Sequence, residues 1–413
     1  MVDRDYRVDA PEEKLAALYG LPRQVLFCRR CVVSNQRPSS VVEQKSTGKE
    51  KKPTIDFNSE GVCSACRYAE YKASSIDWAE REYKLKELCN RYRSRNGSYD
   101  CIVPGSGGKD SAFTAHALKF KYSMNPLTVT WAPHSYTTVG WNNFQSWIHS
   151  GLDNILYTPN GKVHRTLTRL AFENLCHPFQ PFVIGQRLLG PRIAAMYGVP
   201  LIFYGENQAE YGNSIRENDL PTMDPAFFSM EQESGQIVLG GVTVESLIRD
   251  HGIRPADLSI YFPTHSKKLQ EIDAQVHYLG YYVRWDPQEM FYYAVENTGF
   301  SANDVRTEGS YSKYSSIDDK LDPLHYFTTY VKFGIGRATY DAAQEVRNGK
   351  ITRDEAVALV RRYDHEVPTR YLAEMLEYME ITEARFWEVI DAARSPHLWA
   401  KSDAGWTLRN VIS

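Results

Sequence analysis

The chain has 413 residues, of which 42% are hydrophobic and 24% are charged, so it is long enough for two or three domains with a large core. Its net charge of -3 provides no overall basic field for nucleic acid, so RNA binding would require a local basic patch. No stretch reaches the ~18 apolar residues of a membrane span, and the N-terminus is too polar for a signal peptide. We therefore expect a cytoplasmic protein without a membrane span, and we do not expect a nucleic-acid partner.

Four of the seven cysteines form two C-x-x-C pairs within the first sixth of the chain. In a reducing compartment this pattern favours metal binding over disulfides, and two such pairs supply the four thiolates of a tetrahedral structural zinc site. An iron-sulfur or redox role, or free thiols, are the alternatives. The basic run between the pairs is interpreted as a solvated loop. We therefore predict a zinc-binding module over residues 1–75, called the cysteine module below, with the ligands Cys28, Cys31, Cys63 and Cys66.

An amphipathic helix predicted at 78–93 leads into alternating strands and helices. Strands are predicted at 100–104, 127–132, 154–158 and 200–204, with helices at 111–121, 142–150, 162–175 and 182–197 between them. This alternation predicts an α/β fold with a doubly wound parallel sheet that binds ligands at the carboxyl ends of its strands. We assign it to residues 76–300, with an irregular insertion at 213–260. Residues 301–413 are predicted to form a helical region for substrate or partner binding.

The most informative segment is SGGKDS, Ser106 to Ser111, which joins the first strand to its helix and is called the phosphate loop below. Glycines let backbone amides close around an anion at a helix N-terminus, and hydroxyl groups and a lysine add further donors. Neither the Walker A nor the Rossmann pattern fits, because Val103 and Asp110 occupy positions that require glycine. The alternative is a glycine-rich turn without a ligand. The candidate phosphate-binding residues are Ser106, Gly107, Gly108, Lys109, Asp110 and Ser111.

The fourth predicted strand is followed by GENQAEYG, residues 205–212. Glu206 and Glu210 at this strand end could hold magnesium or orient a substrate, and the alternative is that they are two surface acids.

A third candidate segment is SIDDKLDPLHYFTTYVKFGIGRATYD, residues 316–341. We predict a helix from about Leu324 with Gly334 and Gly336 in its interior, which would cost ~2 kcal/mol of helix propensity and suggests close approach by another backbone or a ligand. Lys332 and Arg337 flank these glycines. A salt-bridged helix face is the alternative. The preceding polar residues are Asp318, Asp319, Lys320, Asp322 and His325.

At the family level, SGGKDS resembles the PP-loop of the ATP pyrophosphatases, which cleave ATP between the α and β phosphates. Together with GENQAEYG, LGYYVRWDP, YSSIDDKLD and KFGIGRATYDAAQEVRNGKITRDEAVALVRRYD, it makes the chain similar to the bacterial N-acetyl sugar amidotransferases of that superfamily. This resemblance runs from Cys28 to about Asp364 and includes the zinc module. The long loop between the cysteine pairs and the tail beyond residue 365 are unusual.

The resemblance implies conversion of a sugar acetamido group to an acetamidino group in the synthesis of lipopolysaccharide O-antigen or flagellar sugars. ATP, Mg²⁺ and structural Zn²⁺ are the implied cofactors, and the partners are an acetamido sugar, expected to be nucleotide-activated, and ammonia-supplying glutaminase and cyclase-like subunits. The loop amides would hold pyrophosphate, a magnesium ion would bridge phosphate oxygens, and basic groups would neutralise substrate charge. The catalytic candidates are Lys109, Asp110, Glu206, Glu210, Lys332 and Arg337.

Two other functions remain open from the sequence. A tRNA sulfurtransferase of the same superfamily would share the PP-loop and zinc module but commonly needs a further reactive cysteine. Cys89 and Cys101 lie in apolar segments, which leaves Cys176, beside His177, as the candidate nucleophile. A zinc- and RNA-binding scaffold with a degenerate nucleotide fold is the non-enzyme alternative, and the intact Lys109, Asp110 and Ser111 argue against it.

Overall fold

A computed structural model describes residues 4–48, 50–206, 210, 220–231 and 237–413. Within these ranges, no helix is both long enough and apolar enough to cross a membrane.

The helices are α1 Ser64–Ser74, α2 Trp78–Tyr92, α3 Lys109–His116, α4 Thr138–His149, α5 Gly161–Leu175, α6 Gln180–Tyr197, α7 Val244–His251, α8 Pro255–Leu258, α9 Ser266–Glu271, α10 Leu279–Tyr282, α11 Pro287–Thr298, α12 Asp322–Phe333, α13 Arg337–Arg347, α14 Arg353–Tyr363, α15 Leu372–Met379 and α16 Glu383–Ala393. The strands are β1 Cys101–Pro104, β2 Pro126–Trp131, β3 Asp153–Tyr157, β4 Leu201–Tyr204, β5 Ser229–Met230, β6 Val238–Leu239, β7 Val242–Thr243, β8 Thr264–His265, β9 Gln275–Tyr278, β10 Trp399–Ser402 and β11 Gly405–Leu408.

The central sheet has five strands in the order β3-β2-β1-β4-β9, and every pair is parallel. In the register, Ile102 of β1 lies beside Leu127 of β2 and Ile202 of β4. The doubly wound parallel sheet is therefore confirmed, and the four predicted strands match β1 to β4 closely. The fifth strand, β9, was not predicted, since its four residues (QVHY) are too short and too polar to show a clear pattern.

Side chains that alternate along each strand separate two hydrophobic cores, one on each face of the sheet. Val103 and Phe203 pack with α2, α3, α4, α10 and α11, whereas Ile102 and Ile202 pack with α5, α6 and helices from the C-terminal region. Helix α6 lies very close to the sheet because Gly185 has no side chain. A Cβ at that position would lie 2.2 Å from the Trp131 ring.

The cysteine module packs directly on the C-terminal region. Its four buried cysteines share one hydrophobic cluster with Ile335, Ala342 and Ala343 near α13 and with Ala356 and Val360 of α14. The two ends of the chain are therefore joined through a common core.

The prediction of one continuous helix through Gly334 and Gly336 is wrong, because one helix ends and another begins there. Gly334 ends α12 in the left-handed conformation with φ +67, and Gly336 is the N-cap of α13. The predicted close approach is nevertheless present, since a Cβ on Gly336 would lie 2.8 Å from the Asp364 carbonyl oxygen. A helix-period pattern does not detect a break of three residues between two helices that follow each other directly.

The C-terminal region is helical from α12 to α16, as predicted, and then closes with the antiparallel hairpin β10-β11, which was not predicted. Thr352 and Glu355 form a capping box at the start of α14. The predicted irregular segment 213–260 contains short strands and the helices α7 and α8, while residues 213–219 and 232–236 of it lie outside the described residues.

Candidate functional site

The phosphate loop joins β1 to α3 at the carboxyl edge of the sheet. The backbone fits only glycine at two positions, one just before the loop and one within it. A Cβ on Gly105 would lie 2.3 Å from the Ser111 Cβ, and Gly107 has φ +85 and a Cβ there would lie 2.8 Å from the Phe144 Cα. The Ser111 hydroxyl accepts from the Gly107 N–H at 3.2 Å and donates to the Gly108 carbonyl at 3.0 Å. No side chain caps α3 in the described structure, so the amides of its first turn remain available for an anion.

Acidic side chains surround this loop. Lys109 forms an ion pair with Asp110 at 2.5 Å, and the other carboxylate oxygen of Asp110, Oδ1, is buried without a hydrogen-bond partner in the described structure. Asp318 interacts with the Ser106 hydroxyl, and burial raises the pKa of this carboxyl. The segment carrying Asp318 packs against α4, where a Cβ on Gly140 would lie 2.4 Å from the Asp318 Cα.

Two further carboxyls near the loop, those of Glu206 and Asp322, have strongly raised pKa values. Burial, reinforced by the charge of Asp110, raises the pKa of Glu206 to about 8, and burial raises the pKa of Asp322 to about 7. A bound divalent cation would favour the ionised form of such groups. Carboxylate oxygens are also the ligands that magnesium prefers, and Asp110 Oδ1, which has no hydrogen-bond partner in the described structure, could coordinate a cation. These residues therefore fit the magnesium that we expect with ATP.

Two cavities meet at the phosphate loop. The strand-end cavity has a volume of about 540 Å³ and lies between the carboxyl ends of the strands and α6. Its apolar and aromatic lining includes Pro104, Val129, Trp131, Leu189, Tyr204 and Met223. The module cavity, of about 370 Å³, lies between the loop, the cysteine module, α12 and α13. Both cavities are lined by Ser106, Gly108, Asp110, Gln186, Glu206 and Tyr326.

The module cavity is rich in basic groups. Arg337 lines it at the start of α13, where its Nε lies 3.1 Å from Asp341 Oδ1 and its guanidinium lies 4.5 Å from the centre of the Tyr326 ring. Sequence reasoning missed three further basic side chains of this cavity, Arg37, Arg347 and Lys350. Arg37 lies in a segment without a recognisable motif, and the motif that contains Arg347 and Lys350 does not show which of its side chains face a cavity.

Lys332 lies away from the loop. Its Nζ donates to the Leu175 carbonyl at 2.7 Å, and burial lowers its pKa to about 8. It lines a third cavity of about 300 Å³, called the Cys176 cavity, together with Cys176 and His177. The structure thus brings Arg337 to the phosphate loop but not Lys332, although the two are five positions apart, because the α12–α13 break turns them to different sides.

Glu210 also has a different setting from Glu206. It is buried in an ion pair with Lys72 of α1 at 2.8 Å, and Lys72 also donates to the Trp285 carbonyl. In the described structure, Glu210 therefore joins the cysteine module to the α/β domain instead of facing either cavity at the loop. The remaining residues of this motif, 207–209, 211 and 212, lie outside the described residues.

The four predicted metal ligands form one buried cluster, with all four sulfur atoms within 4.8 Å of one another. Cys28 Sγ lies 3.8 Å from Cys66 Sγ, and Cys31 Sγ lies 3.7 Å from Cys63 Sγ. A tetrahedral zinc ion with Zn–S bonds of about 2.3 Å requires sulfur-sulfur separations of about 3.8 Å. Backbone N–H groups of Arg30, Cys31 and Cys63 also point at the Cys28 sulfur. The cluster therefore fits a structural zinc ion.

Residues 308–412 match the family model of the C-terminal domain of WbpG-like LPS (lipopolysaccharide) biosynthesis proteins. This match includes the tail beyond residue 365, which the sequence analysis treated as unusual. The matched segment is the last quarter of the chain. An uncharacterized protein from Methanocaldococcus jannaschii is 31% identical over 83 residues, which are 20% of this chain and 29% of that relative.

Three similar solved structures share low sequence identity with the chain. An NH3-dependent NAD synthetase from Campylobacter jejuni has 12% identity and a TM-score of 0.28, covering 48% of this chain and 95% of the other. An NMN synthetase from Francisella tularensis has 11% identity and a TM-score of 0.33, and the match covers 73% of this chain and 97% of the other. The U34-tRNA thiolase NcsA from Methanococcus maripaludis has 10% identity and a TM-score of 0.29, and the match covers 84% of this chain and 93% of the other.

Proposed function

We propose that the chain is an ATP-dependent amidotransferase that converts the acetamido group of a sugar to an acetamidino group during the synthesis of a bacterial surface glycan. The proposal combines the phosphate loop with the C-terminal similarity to a lipopolysaccharide biosynthesis family.

The observation that carries the proposal is the meeting of two cavities at the phosphate loop. An adenosine in the apolar strand-end cavity would place its phosphates at the loop amides and Lys109, with the module cavity on the other side. A second substrate in the module cavity would then lie beside the phosphates held at the loop. Attack on the α-phosphorus with loss of pyrophosphate is what the resemblance of the loop to the PP-loop of the ATP pyrophosphatases implies.

The chemistry follows from the poor reactivity of an amide. The acetamido oxygen attacks the α-phosphorus of ATP, and the bond from the α-phosphorus to the bridging oxygen of the β-phosphate breaks. Pyrophosphate departs, and the substrate becomes an O-adenylyl imidate. Ammonia adds to the imidate carbon, AMP departs with the former amide oxygen, and loss of a proton gives the amidine. Loop amides and Lys109 would stabilise the departing pyrophosphate, and Arg337 would offset negative charge from the module cavity. Magnesium held by Asp110 and Glu206 would supply charge neutralisation at the phosphates.

The cysteine positions favour this function over a tRNA sulfurtransferase. The residues described around the two cavities at the loop include no cysteine. Burial also raises the pKa of Cys89 and Cys176 to about 11, which opposes thiolate formation. We further propose that ammonia comes from a separate glutaminase with a cyclase-like subunit, as the family resemblance implies.

The proposal is tested by incubating the protein with ATP, magnesium and ammonium salt against a panel of acetamido sugars. We expect AMP and pyrophosphate in amounts that match the amidino product. Lys109→Ala should reduce this turnover at least about a hundredfold, because it removes a preorganised charge from the departing phosphates. Lys84→Ala is the matched control, since Lys84 lies exposed on α2 in a pair with Glu80. Formation of ADP and phosphate would contradict the proposal.

A further inference from the structure

Arg37 lines the module cavity from the cysteine module, at a position fixed by backbone hydrogen bonds. Its N–H donates to the Ser34 carbonyl at 3.2 Å, and its carbonyl accepts from the Ile55 N–H at 2.9 Å. The side chain is only 8% exposed. The guanidinium is thus placed at the cavity by the same short segment that carries Cys31, and it has little freedom to reach bulk water.

Among the described residues, no carboxylate pairs with this guanidinium. Its Nη1 is buried without a hydrogen-bond partner in that part of the chain, and its carbon lies 5.4 Å from the centre of the Tyr340 ring. Burial lowers the pKa of Arg37, and the positive charge of Arg347 lowers it further. A buried cation that faces a second cation is costly unless an anion compensates both.

The other basic groups of the module cavity already have acceptors. Arg337 pairs with Asp341, and Lys350 Nζ lies 3.3 Å from Asp286 Oδ2. Lys109 pairs with Asp110. Arg347 donates to the Glu210 carbonyl at 2.9 Å. Among the described basic residues of this cavity, Arg37 is therefore the one with a buried nitrogen that has no acceptor.

We infer that Arg37 is a substrate-binding residue that holds an anionic substituent, a phosphate or a carboxylate, of the acetamido sugar. The inference rests on the proposed function. Arg37 lines the module cavity and not the strand-end cavity, so it lies on the side of the loop on which we place the sugar and not the adenosine. An arginine at this position can form two parallel hydrogen bonds with a phosphate or carboxylate, which a lysine cannot reproduce. The cysteine module then contributes to substrate recognition as well as to stability.

The test measures binding by calorimetry in the presence of saturating α,β-methylene ATP and magnesium, so that no turnover occurs. The probes are UDP-N-acetylglucosamine, which carries phosphates, N-acetylglucosaminuronic acid, which carries a carboxylate, and uncharged N-acetylglucosamine. We expect Arg37→Gln to weaken at least one of the two anionic probes about tenfold or more, which is the effect of a lost charge-assisted hydrogen bond. Which of the two is weakened identifies the anion. Arg37→Lys should recover only part of the affinity.

Arg30→Gln is the matched control, because Arg30 belongs to the same module but is exposed and paired with Glu70. Zinc content and affinity for α,β-methylene ATP should be the same in all variants, and no variant should have a lower thermal midpoint than the wild type, which excludes a folding defect. The inference is overturned if the wild type binds neither anionic probe, or if Arg37→Gln binds both as tightly as the wild type does. Formation of AMP, measured separately, decides the proposed function independently of this result.

Discussion

At the scale of single residues, the carboxyls around the phosphate loop are arranged for a cationic ligand. Glu206, at the end of β4, lies near Asp110, and burial together with the charge of Asp110 disfavours ionisation of Glu206. The sequence could indicate Glu206 because it follows a predicted strand. The sequence could not indicate Arg37. Whether its guanidinium is buried, and whether it has a hydrogen-bond partner, depends on segments that come together only in the folded chain.

Glu206 therefore gives a prediction on pH dependence. Its pKa is raised from 4.5 to about 8, so the folded protein binds a proton that the unfolded chain releases between these pH values. Stability without ligands should then fall as pH rises through this window. Glu206→Gln should remove that loss, giving the same thermal midpoint as wild type below pH 4.5 and an increasingly higher one up to pH 8.

Thermal unfolding of both proteins from pH 4 to pH 9 measures this difference. Glu296→Gln, at an exposed position on α11, controls for the loss of one surface carboxylate. A constant difference between Glu206→Gln and wild type across the range would contradict the electrostatic explanation.

At the scale of secondary-structure elements, the break between α12 and α13 determines which basic residues reach the phosphate loop. Gly334 ends one helix, and Gly336 begins the next against the Asp364 carboxylate, which accepts from the Gly336 N–H at 3.0 Å and from the Thr339 N–H at 2.9 Å. The Asp364 side chain thus holds the first turn of α13, and with it Arg337, in place.

The close contact at Gly336 predicts a steric effect of substitution. In Gly336→Ala the new Cβ would lie 2.8 Å from the Asp364 carbonyl oxygen and 2.9 Å from its Oδ1, so backbone or carboxylate must move. We expect the free energy of unfolding to decrease by about 1–3 kcal/mol, as for other overpacked sites. Urea unfolding followed by circular dichroism measures the change.

Gly161→Ala is the matched control for this substitution. Gly161 is the first residue of α5, and a Cβ there would meet no atom within 4 Å. Alanine should leave stability unchanged or raise it slightly, because it is a better helix former than glycine. Equal effects of the two substitutions would show that the contact with Asp364 does not govern the stability of the junction.

Elements with a strong local signal were predictable from the sequence. The alternating apolar pattern located β1 to β4, and the C-x-x-C spacing located the four thiols that the fold collects in one cluster. The hairpin β10-β11 and the strand β9 were not predictable, because short strands are selected by their neighbours in the sheet more than by their own sequence. The position of Lys332 likewise depends on a turn that a helical pattern conceals.

At the scale of the whole molecule, the candidate site is assembled from segments far apart in the chain. The phosphate loop, the cysteine module and the α12–α13 junction meet at the module cavity, and the common core of the two chain ends holds them together. Sequence motifs could name each segment, but they could not show that Arg337 faces this cavity while Lys332 faces the Cys176 cavity.

The separation of these cavities leads to a prediction on the source of nitrogen. A glutaminase requires a cysteine thiolate, and Cys176, the candidate left open by the sequence, is buried with its pKa raised to about 11. At pH 7.5 roughly one thiol in a few thousand would be ionised. Burial also keeps the neighbouring His177 neutral by lowering its pKa, so it provides no imidazolium to stabilise a thiolate.

We therefore expect the isolated protein to form amidino product with ammonium salts, increasingly at alkaline pH as more ammonia is unprotonated, and not with glutamine. Adding the partner glutaminase with its cyclase-like subunit should restore the use of glutamine. Product and glutamate are measured together by mass spectrometry, and Cys176→Ser should retain the ammonium-dependent activity. If the purified chain alone formed product from glutamine, and Cys176→Ser abolished only that reaction, the Cys176 cavity would be a second catalytic site, and its ammonia would have to travel from there to the module cavity.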